Sequence, residues 1–287
     1  MIKRILLPFD FSSCAEQALR AALFLSEKTG AELFILHILN GIGSAEIIVR
    51  EGDIVVANVE GTKKDEIALI AESVADNIRK MVDRHGFPDS KWQTIIESGN
   101  IAAKIIQIAE KMRCDFIVMG TQGDADYENL VIGSNTQKVT RNAPCPMLMV
   151  RNFKEENHFK NIALAVDFET ANKSSVDYVV KFAQTMRAKL TLMYINTPLY
   201  FISERESQER FRSFIEKYQL SGTETKLYCD LHEDEGIVHC AHDLSANLIV
   251  LVTNKRKGLS RILSGSVSEE VITESLMPVL VLPPDFA

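Results

Sequence analysis

Short apolar runs alternate with amphipathic stretches along the whole chain. In the first half the runs are Ile5–Phe9, Leu33–Leu39, Trp92–Glu97, Phe116–Met119 and Met147–Val150. They are too short for helices and are bounded by turn residues, so each predicts a strand. Between them apolar residues recur at helical spacing: Ala18, Ala22 and Leu25; then Ile67, Ile70, Val74, Ile78 and Met81 within Lys64–His85; then Ile101, Ile105, Ile108 and Met112. Ser13-x-x-Glu16 reads as a capping box that opens the first helix, and Gly30 and Gly86 stand where helices stop. Ser134–Arg141 opens a short helix ahead of the last strand. The second half keeps the same rhythm, with strands expected near 161–166, 189–195, 224–229, 247–252 and 279–282. Strands separated by helices imply an α/β fold whose parallel sheet is covered on both faces, and right-handed crossovers make it doubly wound.

The rhythm repeats because the sequence repeats. Ile5-Leu-Leu-Pro-Phe-Asp10-Phe11 returns as Ile162-Ala-Leu-Ala-Val-Asp167-Phe168, Asp115-Phe-Ile-Val-Met119 as Asn247-Leu-Ile-Val-Leu251, and Gly133-Ser134 as Gly265-Ser266. Pro146-Met-Leu-Met-Val150 returns as Pro278-Val-Leu-Val-Leu282. The order is kept, as in a tandem duplication. The first copy carries about 25 extra residues between Asn40 and His85, read as a polar loop followed by a longer helix. Residues 151–160 are charged and lack an apolar period, so they read as a linker, giving domains 1–152 and 158–287. Pro144, Pro146 and Pro278 beside each last strand fit an edge position, and such an edge in each half offers a surface for the halves to pair.

Charge and composition narrow the class. The 287 residues are 46% hydrophobic and 25% charged, ordinary values for a folded globular chain. A net charge of −7 argues against nucleic acid and anionic membrane as partners. The N-terminal apolar run stops at Pro8, short of a signal-peptide core, and no stretch approaches the ~18 apolar residues of a membrane span. The five cysteines are scattered, without a C-x-x-C. Together these features lead us to expect a cytoplasmic protein with reduced, mostly buried thiols.

Ligands of open α/β sheets sit outside the strand C-termini, which here puts Asp10, Ile38–Asn40 and 120–133 on one rim. Met119-Gly120-Thr121-Gln122-Gly123, nine residues and then Gly133-Ser134-Asn135-Thr136 run from a strand end to a helix start. Glycines there let a backbone approach a phosphate, and the helix start offers unpaired N–H groups and the positive end of its dipole. The Ser134 and Thr136 hydroxyls add hydrogen-bonding groups. A glycine-marked loop with a serine cap and no ligand fits the same residues.

Pro8-Phe9-Asp10, the spacing Gly120-x-x-Gly123-x9-Gly133-Ser134 and the tandem α/β pattern together resemble the universal stress protein family, as two of its domains in series. The resemblance implies a five-stranded parallel, Rossmann-like fold of the adenine nucleotide alpha hydrolase-like kind. It also implies dimer-like pairing through the last strand, and ATP or another adenine nucleotide as ligand. By that resemblance Pro8, Phe9, Asp10 and the backbone at Ile38 face adenine and ribose. Met119, Gly120, Gly123, Gly133, Ser134, Asn135 and Thr136 then surround the phosphates. The sequence departs from the family pattern at Asp124-Ala-Asp126-Tyr-Glu128, three acids in the phosphate loop, and at Asn135, where the family usually has valine. Acids there repel a triphosphate unless Mg²⁺ lies between, or else form a solvated loop. The second half keeps Asp167 and Gly265-Ser266 but has Val252 and Lys255 at the loop-glycine positions, followed by Arg256-Lys257. It reads as a degenerate site serving as a structural partner, or as a site for a different anion.

His232, His239 and His242, near Cys240 and Glu235, are a second cluster, read either as zinc ligands or as exposed polar residues. His37 reads as a core histidine, and Trp92 as packing. P-loop, dinucleotide, nucleophile-elbow and zincin motifs are absent, and no nucleophile–base pair stands out, so catalysis is expected to be absent or limited to slow ATP hydrolysis. The leading expectation is a stress-response sensor or adaptor that binds an adenine nucleotide in its first domain and acts on an unidentified protein partner. The alternatives are a nucleotide-independent interaction protein and a weak ATPase. The tandem chain either satisfies pairing internally or pairs again as a homodimer.

Overall fold

The computed structural model describes residues 2–39, 46–50, 53–57, 63–88, 91–121, 132–153, 159–168, 172–252 and 261–283. The first half runs β1 (Arg4–Pro8), α1 (Ser13–Thr29), β2 (Glu32–Leu39), β3 (Glu46–Arg50), β4 (Asp53–Ala57), α2 (Lys63–Asp83), β5 (Trp92–Ser98), α3 (Ile101–Lys111), β6 (Phe116–Gly120), α4 (Ser134–Asn142) and β7 (Met147–Val150). The second half runs β8 (Asn161–Ala165), α5 (Lys173–Met186), β9 (Lys189–Asn196), α6 (Glu204–Tyr218), β10 (Glu224–Cys229), α7 (Glu233–Asp243), β11 (Leu248–Val252), α8 (Arg261–Glu274) and β12 (Val279–Leu282). Every strand expected from the apolar runs is present; most are runs buried on both faces, which leaves little freedom in where they begin and end, while β10 at the sheet edge is largely exposed.

All strands join one 12-stranded sheet in the order β10-β9-β8-β11-β12-β7-β6-β1-β2-β5-β3-β4. Within each half the core strands are parallel, as in β1 against β2 and β6, and β8 against β9 and β11. The halves meet where β12 pairs antiparallel with β7, with Leu280 opposite Leu148. The strand order reads as a reflection about that seam, so the strand C-termini of the two halves open toward opposite edges of the sheet. The prolines thus mark edges only within each half, since in the joined sheet both strands are interior. Pro146 and Pro278 lie just before the strands, and their carbonyls accept hydrogen bonds from Ile117 and Ile249 at 2.9 and 3.1 Å.

Side chains alternate between two cores, one on each face. Ile5, Leu7, Val118, Leu148 and Val150 pack with α1, α2, α5 and α6, whereas Leu6, Ile117, Met119, Met147 and Met149 pack with α3, α4, α7 and α8. Both cores continue across the seam, with Leu164 and Leu280 in the first and Ile249 and Val281 in the second.

Two local expectations are corrected, and a third segment gains an anchor. The insertion after Asn40 is a β-hairpin rather than a polar loop: β3 pairs antiparallel with β4 and with β5, extending the sheet by two strands. The N-cap of α1 is Ser12, not Ser13. Its hydroxyl accepts from the Ala15 N–H at 3.2 Å, which leaves Glu16 outside the capping-box position. The stretch read as a plain linker is anchored at both described ends. Phe153 and Phe159 are 5% and 1% exposed and pack on each other with ring centroids 5.6 Å apart.

Candidate functional site

The rim of the first half is built by the ends of β1, β2, β6 and β7. β1 ends at Pro8, and the Phe9 side chain turns into the core at 3% exposure. The Phe9 backbone bonds to β2: its N–H donates to Leu36 O at 2.8 Å, and its carbonyl lies 2.8 Å from His37 Nδ1. Asp10 is exposed, and its Oδ1 accepts the Ser12 N–H at 3.0 Å. Between them Phe11 takes φ 66°, a left-handed conformation that is costly for a Cβ-bearing residue. The Phe11 ring packs 5.0 Å from Phe9 and 5.2 Å from His37, which holds the turn in place. His37 is therefore a structural histidine that ties β2 to β1. Ile38, half-buried near the end of β2, is next to it on the rim.

The glycines differ in what requires them. A Cβ on Gly120 would lie 2.9 Å from the Cys14 carbonyl carbon and 3.1 Å from Ala15 N, so this glycine lets α1 close on the end of β6. Among the described residues a Cβ on Gly133 would meet Thr136 Oγ1 at 3.5 Å and Thr121 O at 3.6 Å, which are ordinary contacts. Gly133 has φ −61°, available to any residue, and caps α4 without a side-chain hydrogen bond. Neither packing nor backbone conformation explains it. It leaves the start of α4 open, where Ser134, Asn135 and Thr136 have no intrahelical acceptor for their N–H groups. Ser134 is exposed and Asn135 half-buried. Thr136 is 3% exposed, and its hydroxyl donates inward to Gly120 O at 3.4 Å. Met119, 8% exposed, belongs to the core beneath. The structure thus brings Pro8, Asp10, Ile38, Gly120, Gly133, Ser134 and Asn135 to one rim, while Phe9, Met119 and Thr136 support it from inside. Gly123 and the acidic stretch 124–128 lie outside the described residues.

Two features went unread in the sequence. Thr121, 2% exposed, receives the Gly133 N–H on its carbonyl at 3.1 Å and donates its own N–H to Val150 O at 3.2 Å. Arg151, just after β7, places Nε 3.4 Å from Thr121 Oγ1, while its Nη1 and Nη2 are buried with no hydrogen-bond partner among the described residues. Burial pushes its pKa below the usual guanidinium value. The one available signal was a basic residue directly after an apolar strand.

The second half lacks this arrangement. Val252 fills the position of Gly120 and packs on the core, and α8 begins at Arg261, so Gly265-Ser266 falls within a helix rather than at its start. Lys255, Arg256 and Lys257 lie outside the described residues. Among the described residues no group of three or more His, Cys, Asp or Glu side chains is placed to hold a metal ion. His239 Nδ1 is 2.8 Å from Asp230 Oδ2, His242 faces Asp243 at 3.8 Å, and His232 is the N-cap residue of α7. The described thiols are mostly inert: burial pushes Cys114 up to about 12 and Cys240 up to about 11, and it raises Cys145 as well. Among the described residues no helix is long and apolar enough to cross a membrane.

Comparison with known proteins matches the universal stress protein family model to residues 1–151 and again to 158–283. Universal stress protein MJ0531 of Methanocaldococcus jannaschii is 28% identical over 159 residues, covering 54% of this chain and 86% of its own length. A Thermus aquaticus universal stress protein is 31% identical over 153 residues, covering 53% of this chain and its own full length. The crystal structure of a universal stress protein from Archaeoglobus fulgidus superposes with a TM-score of 0.70 at 19% identity, covering 98% of this chain and 96% of that one.

Proposed function

Because the chain belongs to the universal stress protein family along nearly its whole length, we propose that it binds an adenine nucleotide such as ATP in its first domain, 1–152, and serves as a sensor or adaptor. The second domain, 158–287, is in this reading mainly a structural partner. The observation that carries the reading is the start of α4: a glycine that, among the described residues, neither packing nor φ demands stands before three N–H groups without an intrahelical acceptor, beside the strand end at Gly120–Thr121. Such a start favours an anion. Asp10 keeps one carboxylate oxygen available to accept from a ribose hydroxyl or a base N–H. Ile38 and the β1 end at Pro8 supply an apolar wall for the base. Mg²⁺ bound with the nucleotide would supply charge between the phosphates and the acids of residues 124–128. Occupancy would alter the surface this rim offers a partner.

The test is mass spectrometry of small molecules released on denaturing the purified protein, together with calorimetry using ATP–Mg²⁺. An adenine nucleotide released at near-stoichiometric amount, or saturable heat, supports the reading; neither release nor heat removes it. Turnover measured on wild type and Asp10→Ala separates binding from slow hydrolysis, and equal background rates eliminate the ATPase.

A second reading, a protein whose interactions do not depend on nucleotide, is favoured by the opposite rim. Leu199, Tyr200, Phe201 and Leu231 are 80%, 59%, 71% and 72% exposed. The loop that carries Leu199, Tyr200 and Phe201 is tied at its base, since Asn196 receives the Ile202 N–H at 2.8 Å and donates to its carbonyl at 3.1 Å. If saturating ATP–Mg²⁺ changes hydrogen exchange across 197–203, this independence is lost.

A further inference from the structure

We propose that Arg151 is the cation of the phosphate subsite in the first domain, completing on the β7 side what the start of α4 offers on the other. The inference rests on the nucleotide reading above and adds a residue outside the glycine pattern.

Three observations carry it. A guanidinium remains ionised at any physiological pH, and placing it out of water without an acceptor is strongly unfavourable. Arg151 nevertheless buries both terminal nitrogens, and among the described residues its hydrogen bond is to a neutral hydroxyl, Thr121 Oγ1. Among the described residues no carboxylate pairs with it. Location is the second. Thr121 touches the guanidinium through its hydroxyl and Gly133 through its carbonyl, so one residue separates the cation from the N-cap of α4. The third lies in the other half of the chain. β12 repeats β7, and the residue after it is Pro283 where β7 is followed by Arg151. The half without the loop glycines therefore also lacks the cation, as expected if both serve one ligand.

The chemistry that satisfies this group is an oxyanion with at least two free oxygens, which the planar fork of arginine engages in a bidentate way. A phosphate chain provides that, and adenosine does not. The competing occupant is a carboxylate of Asp124, Asp126 or Glu128, which would make Arg151 a structural loop anchor.

Arg151→Met, close in shape and uncharged, and Arg151→Lys, which keeps charge but loses the fork, decide between these. Calorimetry with ATP–Mg²⁺ and with adenosine, and melting temperature with and without tripolyphosphate, are measured on the full chain. We expect Arg151→Met to lose ATP affinity about 10- to 100-fold, the scale of one charge-assisted hydrogen bond, with adenosine affinity unchanged and Arg151→Lys intermediate. The ligand-free melting temperature of Arg151→Met should equal or exceed that of wild type, because an uncompensated charge is removed. Equal ATP affinity in wild type and Arg151→Met overturns the proposal, as does a drop in ligand-free melting temperature with an unchanged ratio of ATP to adenosine affinity. If wild type binds neither ATP nor adenosine, the nucleotide reading falls by itself. A tripolyphosphate-induced rise present in wild type and absent in Arg151→Met would then keep the anion site, and no rise would end both.

Discussion

At the scale of single residues, two glycines of one motif do different work. Gly120→Ala forces a Cβ to within 2.9 Å of the Cys14 carbonyl carbon, and that backbone cannot yield without moving α1. A loss of about 1–3 kcal/mol in chemical denaturation is expected. Gly133→Ser meets nothing closer than 3.5 Å and adds a capping hydroxyl, so stability should hold or rise by about a few tenths of a kcal/mol while nucleotide affinity falls. The motif spacing was legible in the sequence, but the division of labour within it was not. It depends on how closely α1 lies over the end of β6, a distance no spacing encodes. Arg151 escaped notice for a related reason: its meaning comes from being buried beside Thr121, 30 residues away in the chain.

The Asp230–His239 pair belongs to the same scale. Its hydrogen bond lowers the Asp230 pKa and raises that of His239. The aspartate contribution is present above its unfolded value near 3.8 and lost as pH falls through the lower folded one. The histidine contribution is complete below its unfolded value near 6.5 and lost as pH rises through the higher folded one. Between those limits the pair adds stability, kept below about 1 kcal/mol by solvent screening. His239→Gln should therefore flatten the decline in stability from pH 6 to 8, as read by denaturation at each pH. An unchanged slope would show that other groups set it.

At the scale of elements, the apolar runs located the strands well and the helix starts less well. The hairpin of β3 and β4 was masked by its flanks, Gly41, Gly43, Ser44 and Gly61, which read as loop. Yet two apolar runs, 47–49 and 54–56, sit on strands separated by two residues, the ordinary hairpin signature. The start of α1 shifted by one residue because the strained turn at Phe11 places Ser12, rather than Ser13, with its side chain toward the free N–H groups. α4 is the element through which the proposed site reaches the other half. It opens at Ser134 on the rim, and near its end Arg141 forms two hydrogen bonds to Glu269 of α8, at 2.5 and 2.9 Å.

At the scale of the whole molecule, a continuous sheet and two shared cores make one cooperative body. Phe159 packs on Phe24 of α1 and on Phe182 of α5, at 6.0 Å in each case, so one ring of the inter-domain segment touches helices of both halves. A single calorimetric transition is expected, with van't Hoff and calorimetric enthalpies in agreement. Phe159→Ala should cost about 3–5 kcal/mol, and a second resolved transition in that variant would show that this ring couples the halves.

The sequence by itself determined the duplication, the α/β rhythm, the positions of every strand but the β3–β4 hairpin, and the glycine spacing, because periodicity and spacing are local properties of a chain. Tertiary structure alone decided that the edge strands of the two halves pair antiparallel into one sheet and that their rims face opposite ways. It also decided that Gly133 has room for a Cβ among the described residues where Gly120 does not, and that the Arg151 guanidinium is buried beside Thr121 with no charged partner among them. Each of these depends on contacts between residues distant in sequence, where burial and close approach set the energy.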